Sequence, residues 1–400
     1  MKSERGASCR TILWRGRHTA AISSGALTLH WLLGGGHLAS VVAHGETEDS
    51  PNFLWETPWK TIEPYEYSAK KHARIYSPPP EGSYLAGYMG HVICLDYFGV
   101  PSPEETKAGL PLHGELPSRR WIVKSRKVSA GSARLSLKAR APEARLGFER
   151  EVMVHEGETA AYVTETVTNQ QKMDRFIQWI QHVTVGPPFL RKDEGVCLMP
   201  AARCRTGPYE YEDKPALPVN QDFAWPIAPS YNGGEHDISK PFAVDGRGFV
   251  ATVLLDSSAP IAFVAVLNWK LGQVFGYCFR TADYPWVAVW EENCVRKDAP
   301  WNGTTQARGL EFGTTPTPEG MRESVFAGRL FGVPRLICLP ALGKRTISYV
   351  LFSANVPVSW KTISRIEARN GKIILMESEG SPSVEVAARS VDAMLGAEKE

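Results

Sequence analysis

The sequence predicts an all-β protein, a large antiparallel β-sandwich. Short apolar runs separated by turn residues recur along the 400 residues, which include 35 glycines and 29 prolines. That Gly and Pro content is above average but below the level typical of low-complexity sequence. Residues 134–140 alternate polar and apolar side chains, as a half-exposed strand does. No amphipathic helices are interleaved between the runs, which excludes a doubly wound α/β sheet.

The elements follow in order along the chain. Glycine-broken apolar runs at 11–14, 26–32 and 37–42 predict an antiparallel meander. Residues 46–90 are rich in tryptophan and tyrosine without a helical or strand period, which indicates an ordered, functional loop. Charged and apolar residues alternate through 119–154, which is typical of a sheet with one wet face. Further strands are predicted at 160–169, 175–185, 249–256, 261–268, 273–280, 286–290, 326–331, 345–353 and 372–377.

The domain organisation predicted from this pattern is simple. No linker separates two cores and no repeat is visible. We therefore expect a single domain over residues 11–378, preceded by an extension at 1–10. The small and polar residues at 379–400 are expected to form a loose tail.

Composition restricts the partners and the compartment. A formal net charge of +2 gives no field to hold a polyanion, so nucleic-acid binding is disfavoured. Seven scattered cysteines without a CxxC motif favour a reducing compartment, and we expect a cytoplasmic protein. The stretch 18–45 lacks Lys, Arg, Asp and Glu, but histidines and glycines interrupt it, so no membrane association is expected. The oligomeric state stays open.

Common catalytic motifs are absent. The sequence has no GxSxG, GxxxxGK[ST] or HExxH motif, and no GxGxxG after a strand. Cys197 and Cys204 are close in sequence but have no histidine nearby, so a metal site is not expected.

Three segments instead carry a titratable residue within a run that is otherwise apolar or flanked by glycine. They contain His113 beside a glycine, His182 in an apolar strand, and Glu311 in a glycine-flanked apolar run. Each alone is compatible with a structural role. Together they suit the opening of a sugar hemiacetal, which needs a base for the anomeric hydroxyl and an acid for the ring oxygen. Aromatic rings would supply the platform for the sugar.

These segments, in this order, resemble the galactose mutarotase-like (aldose 1-epimerase) superfamily. The matching motifs are His113-Gly114, the segment 164–169 that leads to His182, and Gly309-Leu310-Glu311, with an aromatic strand at 284–290 before the last. The resemblance spans most of residues 10–360. It implies a supersandwich of antiparallel sheets with a sugar cleft on one face.

The resemblance also implies roles for the residues. Glu311 would be the base that takes the O1 proton, and His182 the acid that protonates the ring oxygen. His113 would bind the substrate, and no cofactor or metal would be needed. The aromatic strand offers Trp286 as a further contact.

Two family positions are not matched directly. The family has an arginine upstream of the first histidine, where this chain offers His91. The family's acidic hydroxyl ligand has its nearest match in Asp237.

Two other functions stay open at this stage. A non-catalytic carbohydrate-binding protein on the same scaffold would explain the missing arginine. A lyase-like or hydrolase-like relative is the third interpretation, because one architecture hosts many chemistries. A hydrolase would need a second carboxylate facing Glu311, for which Glu292 or Glu115 is the candidate.

Overall fold

The structure is a computed structural model, and it describes residues 6–45 and 48–396. The strands are β1 (Ser8–Trp14), β2 (Arg17–Ser23), β3 (Leu27–Leu32), β4 (Leu38–Ala43), β5 (His91–Cys94), β6 (Ile122–Ser129), β7 (Ser132–Ala141), β8 (Leu146–His155), β9 (Ala160–Asn169), β10 (Arg175–Ile177), β11 (Ile180–Val185), β12 (Gly195–Leu198), β13 (Ala201–Thr206), β14 (Asp222–Phe223), β15 (Ile227–Pro229), β16 (Glu235–Asp237), β17 (Phe249–Leu255), β18 (Ile261–Asn268), β19 (Gln273–Arg280), β20 (Trp286–Asn293), β21 (Gln306–Gly313), β22 (Arg329–Leu330), β23 (Val333–Pro334), β24 (Ile337–Leu339), β25 (Lys344–Asn355), β26 (Arg365–Arg369), β27 (Lys372–Met376) and β28 (Val384–Ala387).

The helices are short. They are α1 (Ala69–Tyr76), α2 (Gly82–Gly87), α3 (Pro103–Lys107), α4 (Met321–Ala327) and α5 (Val391–Leu395), with 3-10 turns at Pro64–Glu66 and Leu116–Ser118. Within the described residues, no helix is long and apolar enough to cross a membrane.

Two large antiparallel sheets form the molecule, as the sequence predicts. The first has eleven strands in the order β1-β2-β3-β4-β5-β11-β21-β20-β17-β13-β14, and the second has eight in the order β12-β18-β19-β25-β9-β8-β7-β6. A continuous hydrophobic core contains residues of both sheets, among them Val183 and Leu310 from the first and Leu135, Val163 and Phe275 from the second. The prediction of an all-β antiparallel sandwich is therefore confirmed.

The C-terminal segment differs from the predicted loose tail. β28 pairs with β27, and β26, β27 and β28 form a small third sheet. Val386, Val391 and Leu395 are buried in a second core with residues of the eight-stranded sheet. Apolar residues recur in this polar stretch at positions that face the sheet, which explains why composition alone missed the order. Residues 397–400 of the predicted tail lie outside the described part of the chain.

The predicted N-terminal extension is also shorter than expected. β1 begins at Ser8 and pairs with β2 along its whole length, so residues 8–10 belong to the sheet. Residues 1–5 lie outside the described residues. The single domain over 11–378 stays a prediction.

The aromatic segment covers the outer face of the eleven-stranded sheet. It contains α1 and α2, although the sequence indicated no helical period there; residues 46–47 of this segment are outside the described chain. Trp55, Tyr76, Tyr84 and Tyr88 are buried in a third hydrophobic cluster together with Trp290 of β20. One face of the large sheet thus packs on the second sheet, and its other face packs on aromatic rings.

Candidate active site

Three central strands of the large sheet carry the candidate residues. β11 lies between β5 and β21, and the register places His182 opposite both Glu311 and Val92. Side chains of a strand alternate between the two faces of a sheet. Val183 and Leu310 point into the inter-sheet core, so His182 and Glu311 point to the aromatic side.

His182 and Glu311 are in direct contact. The distance from His182 Nε2 to Glu311 Oε1 is 3.3 Å, and the two side chains are 5% and 3% exposed. Burial raises the pKa of Glu311 well above its usual range. Burial, and then the neighbouring His113, lowers the pKa of His182 well below its usual range. Both shifts favour a neutral pair that holds one proton, because each penalises the charged form of its group.

Gly309 makes room for the Glu311 carboxyl group. The two residues are separated by one position, so they lie on the same face of β21. A Cβ atom at Gly309 would lie 2.2 Å from Glu311 Oε1. Steric hindrance therefore explains why a glycine precedes the glutamate in the Gly-Leu-Glu motif: the Glu311 carboxyl group occupies the space that a side chain at position 309 would fill.

His113 lies in a loop, and its side chain packs beside the His182–Glu311 pair. Its backbone has a φ of 63°, and Gly114 follows with a φ of 80° where a Cβ would collide with the Leu95 carbonyl. His113 Nδ1 lies 2.5 Å from the carbonyl oxygen of Phe98, and the His113 and His182 ring centroids are 5.1 Å apart. Burial lowers the pKa of His113 to about 4. A neutral His113 that donates from Nδ1 has its Nε2 free to accept a hydrogen bond.

The three residues line one cavity of about 420 Å³. A volume of this size is typical of small-molecule sites. The full lining consists of Glu81, Tyr84, Leu85, Tyr88, Gly99, Val100, Leu112, His113, His182, Tyr209, Glu210, Tyr211, Glu212, Val250, Trp290, Arg296, Trp301, Glu311 and Pro318. The predicted trio therefore converges on one concave surface with aromatic walls.

Two hydroxyl groups face the second nitrogen of His182. Thr184 Oγ1 lies 3.3 Å and the Tyr88 hydroxyl 3.5 Å from His182 Nδ1, and the two hydroxyls are 2.5 Å apart. Thr184 follows His182 by two positions on β11 and therefore shares its face. These hydroxyls fix the orientation of the imidazole ring while Nε2 faces Glu311.

Sequence reasoning missed Arg296. It follows β20 and enters the cavity wall, where its guanidinium lies 5.0 Å from the Trp301 ring centroid and 5.9 Å from that of Trp290. Arg296 Nε donates to Glu212 Oε1 at 2.9 Å. No hydrogen-bond partner of its terminal nitrogens is found in the described chain, so these nitrogens can reach a ligand. The sequence signal is a basic residue just after an aromatic strand, whereas the family resemblance implies an arginine upstream of His113.

The structure does not bring His91 to the cavity. His91 is adjacent to Val92, which faces the aromatic side, so His91 points to the inter-sheet core. It is 1% exposed, and its nitrogens contact Gln181 Oε1 at 2.9 Å and the Tyr277 hydroxyl at 3.1 Å. The assignment of His91 as a substrate ligand is corrected by this one-residue difference in strand phase.

Asp237 and Trp286 also lie outside the cavity lining. The Asp237 carboxylate accepts hydrogen bonds from the backbone and hydroxyl of Ser239, so it stabilises its own turn. Trp286 is fully buried, and its indole donates to the Pro334 carbonyl at 3.2 Å. Trp290, four residues later on the same face of this strand, lines the cavity instead.

Within residues 6–45 and 48–396, no group of three or more His, Cys, Asp or Glu side chains is arranged to hold a metal ion. The polar groups of the cavity are two imidazoles, one buried carboxyl, an arginine, three further carboxylates and four phenols, of which Tyr84, Tyr88 and Tyr211 are buried. This set is suited to proton transfer and to hydrogen bonding with hydroxyl groups.

The sequence matches no family model and no curated protein. Among solved structures, the fold is similar to that of a candidate aldose 1-epimerase from Klebsiella pneumoniae, with a TM-score of 0.58, 14% identity, and coverage of 86% of this chain and 81% of the other. A galactose mutarotase-like protein from Clostridium acetobutylicum gives a TM-score of 0.58 at 13% identity, with coverage of 88% and 100%. A candidate mutarotase from Salmonella typhimurium gives 0.52 at 12% identity, with coverage of 88% and 94%. These likenesses confirm the predicted fold: the chain has the galactose mutarotase-like architecture.

Proposed function

We propose that this protein is a sugar mutarotase, an aldose 1-epimerase-like isomerase that interconverts the anomers of a reducing sugar. The observation that carries the proposal is the contact of 3.3 Å between His182 and Glu311, beside His113, in a cavity with aromatic walls. An acid and a base on neighbouring atoms match the two proton transfers that hemiacetal opening requires.

The proton balance of the reaction fits this pair. The shared proton first passes from Glu311 to His182 across their 3.3 Å contact. Glu311, now a carboxylate, takes the O1 proton, the C1–O5 bond breaks as the C1=O1 carbonyl forms, and the His182 imidazolium gives its proton to O5. After opening, Glu311 is protonated and His182 is neutral, the form that burial favours. Rotation about C1–C2 and closure on the other face of the carbonyl reverse both transfers.

The remaining lining supports sugar recognition. His113 Nε2 is available to accept a hydroxyl hydrogen, and Arg296 offers free guanidinium nitrogens. Tyr88 and Trp290 provide the apolar surface that the C–H face of a pyranose packs on. Arg296 supplies the cavity with an arginine, although it does not lie upstream of His113 in the sequence.

The two carboxylates that the sequence offered as hydrolase partners of Glu311 do not line the cavity. Glu292 accepts hydrogen bonds from the Tyr211 hydroxyl and from the backbone of Val295, and it is not among the cavity-lining side chains. Glu115 is buried against Arg119 and the Ala144 backbone, and it does not line the cavity either. Neither candidate therefore faces Glu311 across the cavity, as glycoside hydrolysis would require. A carbohydrate-binding protein without turnover remains the competing function.

The cellular setting belongs to the same proposal. All seven cysteines are free in the structure, which supports a reducing compartment, and we place the enzyme in the cytoplasm. The nearly balanced charge supports a small neutral sugar as the partner rather than a nucleic acid.

Polarimetry on freshly dissolved α-D-glucose and α-D-galactose tests the proposal. We expect the wild type to accelerate anomerisation and Glu311→Gln to lose roughly 100-fold or more of that rate, since a positioned acid or base contributes about 10²–10⁴-fold. His91→Gln, outside the cavity, is the control. Equal rates for wild type and Glu311→Gln would remove Glu311 from the mechanism. Sugar-dependent thermal stabilisation without any acceleration would establish the binding protein instead.

A further inference from the structure

The hydroxyl of Tyr84 is a buried polar group without a partner. Tyr84 lines the cavity from α2 and is 2% exposed. Within the described residues, its hydroxyl has no hydrogen-bond partner. The hydroxyl of Tyr88, four residues later, is engaged, since it lies 2.5 Å from Thr184 Oγ1. A buried hydroxyl that makes no hydrogen bond costs free energy, so its presence in a reactive cavity indicates a function rather than a contribution to stability.

Tyr84 lies among the reactive groups. Its ring centroid is 4.7 Å from that of His113, in an edge-to-face arrangement, and 6.5 Å from that of His182. Burial raises the pKa of Tyr84 well above its usual range, and the charge of Glu311 adds to the rise. The phenol therefore stays neutral, keeps a proton to donate, and is within electrostatic reach of Glu311.

The proposed reaction needs a hydrogen-bond donor at Glu311. Before Glu311 can accept the O1 proton, its own proton must pass to His182, which leaves a buried carboxylate. Burial disfavours that charge, and hydrogen bonds donated to a buried carboxylate stabilise it. A donor that is unpaired in the resting state and paired only after the transfer lowers the barrier selectively.

Tyr84 is the free donor among the groups near Glu311. The other charged and titratable groups there are His182, His113, Tyr88, Cys94, Tyr209 and Arg296. The donors of His113 and Tyr88 are already engaged, and the thiol of Cys94 is a weak donor. Tyr209 is 43% exposed, so it is open to solvent. Burial alone raises the pKa of Glu311, so Arg296 does not offset it.

Building on the proposed function, we infer that Tyr84 is a positioning residue whose hydroxyl donates a hydrogen bond to the Glu311 carboxylate once the proton has passed to His182. The hydroxyl hydrogen is free to rotate towards the carboxylate, because no acceptor holds it in the resting state. Tyr84 acts through Glu311: it stabilises the charged form of the pair that starts the reaction.

Tyr84→Phe tests the inference, because it keeps the ring and removes only the hydroxyl. We expect kcat for glucose anomerisation to fall roughly 10–100-fold and KM to change less than about two-fold, since the lost bond forms only after the proton transfer. A difference infrared titration against Glu311→Gln follows the protonated carboxyl band of Glu311. The pKa that it gives should rise by about one unit or more, because the carboxylate loses a donor. The alkaline limb of the pH profile should move to higher pH with it.

Tyr76→Phe is the matched control. Tyr76 is a buried tyrosine of the same aromatic cluster, lies outside the cavity lining, and donates to the Lys60 carbonyl oxygen at 2.8 Å. Its variant should lose about 1–2 °C in Tm and keep the wild-type kcat and pH profile. Tyr84→Phe should show the reverse, an unchanged or higher Tm with a lower kcat, because the hydroxyl that it removes makes no bond in the resting protein.

The outcomes separate this inference from the proposed function. If glucose is anomerised but Tyr84→Phe leaves kcat and the pKa of Glu311 unaltered, the role of Tyr84 is wrong and the mutarotase proposal stands. A lower kcat with an unaltered pKa of Glu311 would show that Tyr84 acts in another way, and it overturns the inference as well. If the wild type does not anomerise sugars, the infrared titration still decides. A raised pKa of Glu311 in Tyr84→Phe then supports the hydrogen bond, and an equal pKa overturns it.

Discussion

His182 and Glu311 occupy directly opposed positions on the neighbouring antiparallel strands β11 and β21, with 3.3 Å between the imidazole Nε2 and a carboxyl oxygen. This cross-strand pairing holds two titratable side chains in contact without a flexible loop between them. A site built on adjacent strands holds its geometry better than one built on loops. Because the two groups are in contact, the protonation state of His182 and that of Glu311 depend on each other.

The first prediction concerns the pH dependence of anomerisation. The pair must hold one proton, so activity is lost when the pair releases that proton at higher pH or takes up a second proton at lower pH. Burial moves the pKa of Glu311 up and that of His182 down, so the active range is wider than free side chains would give. We expect kcat/KM to persist below pH 6.5 and to fall as the pH approaches about 4, where His113 gains a proton and its Nε2 can no longer accept a hydrogen bond. A loss of activity centred on 6.5 would contradict the buried neutral pair.

The second prediction concerns the stability of Glu311→Gln. The native carboxyl keeps a proton that the unfolded chain releases above the ordinary glutamate pKa of 4.5. The native state of the wild type therefore loses stability relative to the unfolded state as pH rises above that value, by about 1.4 kcal/mol for each pH unit until the raised pKa of the folded state is reached. Glu311→Gln should thus be more stable than the wild type at pH 7, and the difference should shrink towards pH 4. Urea unfolding at both pH values measures it, and an equal difference at both would refute the raised pKa.

The third prediction uses Gly309. Alanine at this position would place a Cβ 2.2 Å from Glu311 Oε1, so the carboxyl group must move. The clash is with the end of a flexible side chain, so the fold should survive. A displaced catalytic group costs on the order of 10²-fold, and we expect a rate loss of about 10–100-fold. Gly147→Ala on β8 is the matched control, because its Cβ would meet only the Gln170 and Thr168 side chains. Wild-type rates in Gly309→Ala would mean that the carboxyl position is not critical.

The fourth prediction concerns Arg296. Replacement by methionine keeps the packing against Trp301 but removes the guanidinium donors. A hydrogen bond from a charged group contributes about 1.5–3 kcal/mol, so KM should rise roughly 10-fold or more with a smaller change in kcat. Arg203→Met is the matched control, since Arg203 stacks on Phe331 at 4.0 Å outside the cavity. An unchanged KM in the Arg296 variant would exclude it as a substrate ligand.

The fifth prediction concerns the orientation of His182. Thr184→Val removes the hydroxyl that lies 3.3 Å from His182 Nδ1 and bonds to Tyr88, with little change in volume. Loss of one hydrogen bond of about 1 kcal/mol should lower kcat about five-fold and shift the acid limb of the pH profile. Tyr88→Phe should act in the same direction, and the double variant less than additively, because the hydroxyls form one chain. Thr166→Val, at a strand position away from the cavity, should leave the profile in place.

The sequence alone predicted the class of the fold and pointed to three candidate site residues. Polar and apolar side chains alternate at every second residue along strands such as residues 134–140. This pattern indicates which face of each strand is buried, so an antiparallel sandwich could be predicted. His113, His182 and Glu311 were identifiable because titratable groups in apolar, glycine-flanked runs are unusual. The structure brings all three to one cavity.

Tertiary structure alone decided the rest of the wall. Tyr88 comes from the aromatic segment, whereas Trp290 and Arg296 come from β20 and the loop that follows it. Only packing of the aromatic segment and of this loop onto the sheet brings the three side chains together. His91 was misplaced because the phase of a strand depends on its pairing: a shift of one residue exchanges cavity for core. The local sequence determines which side chains of β5 share a face. The pairing of β5 with β11, which depends on long-range contacts, determines which of the two faces points to the cavity.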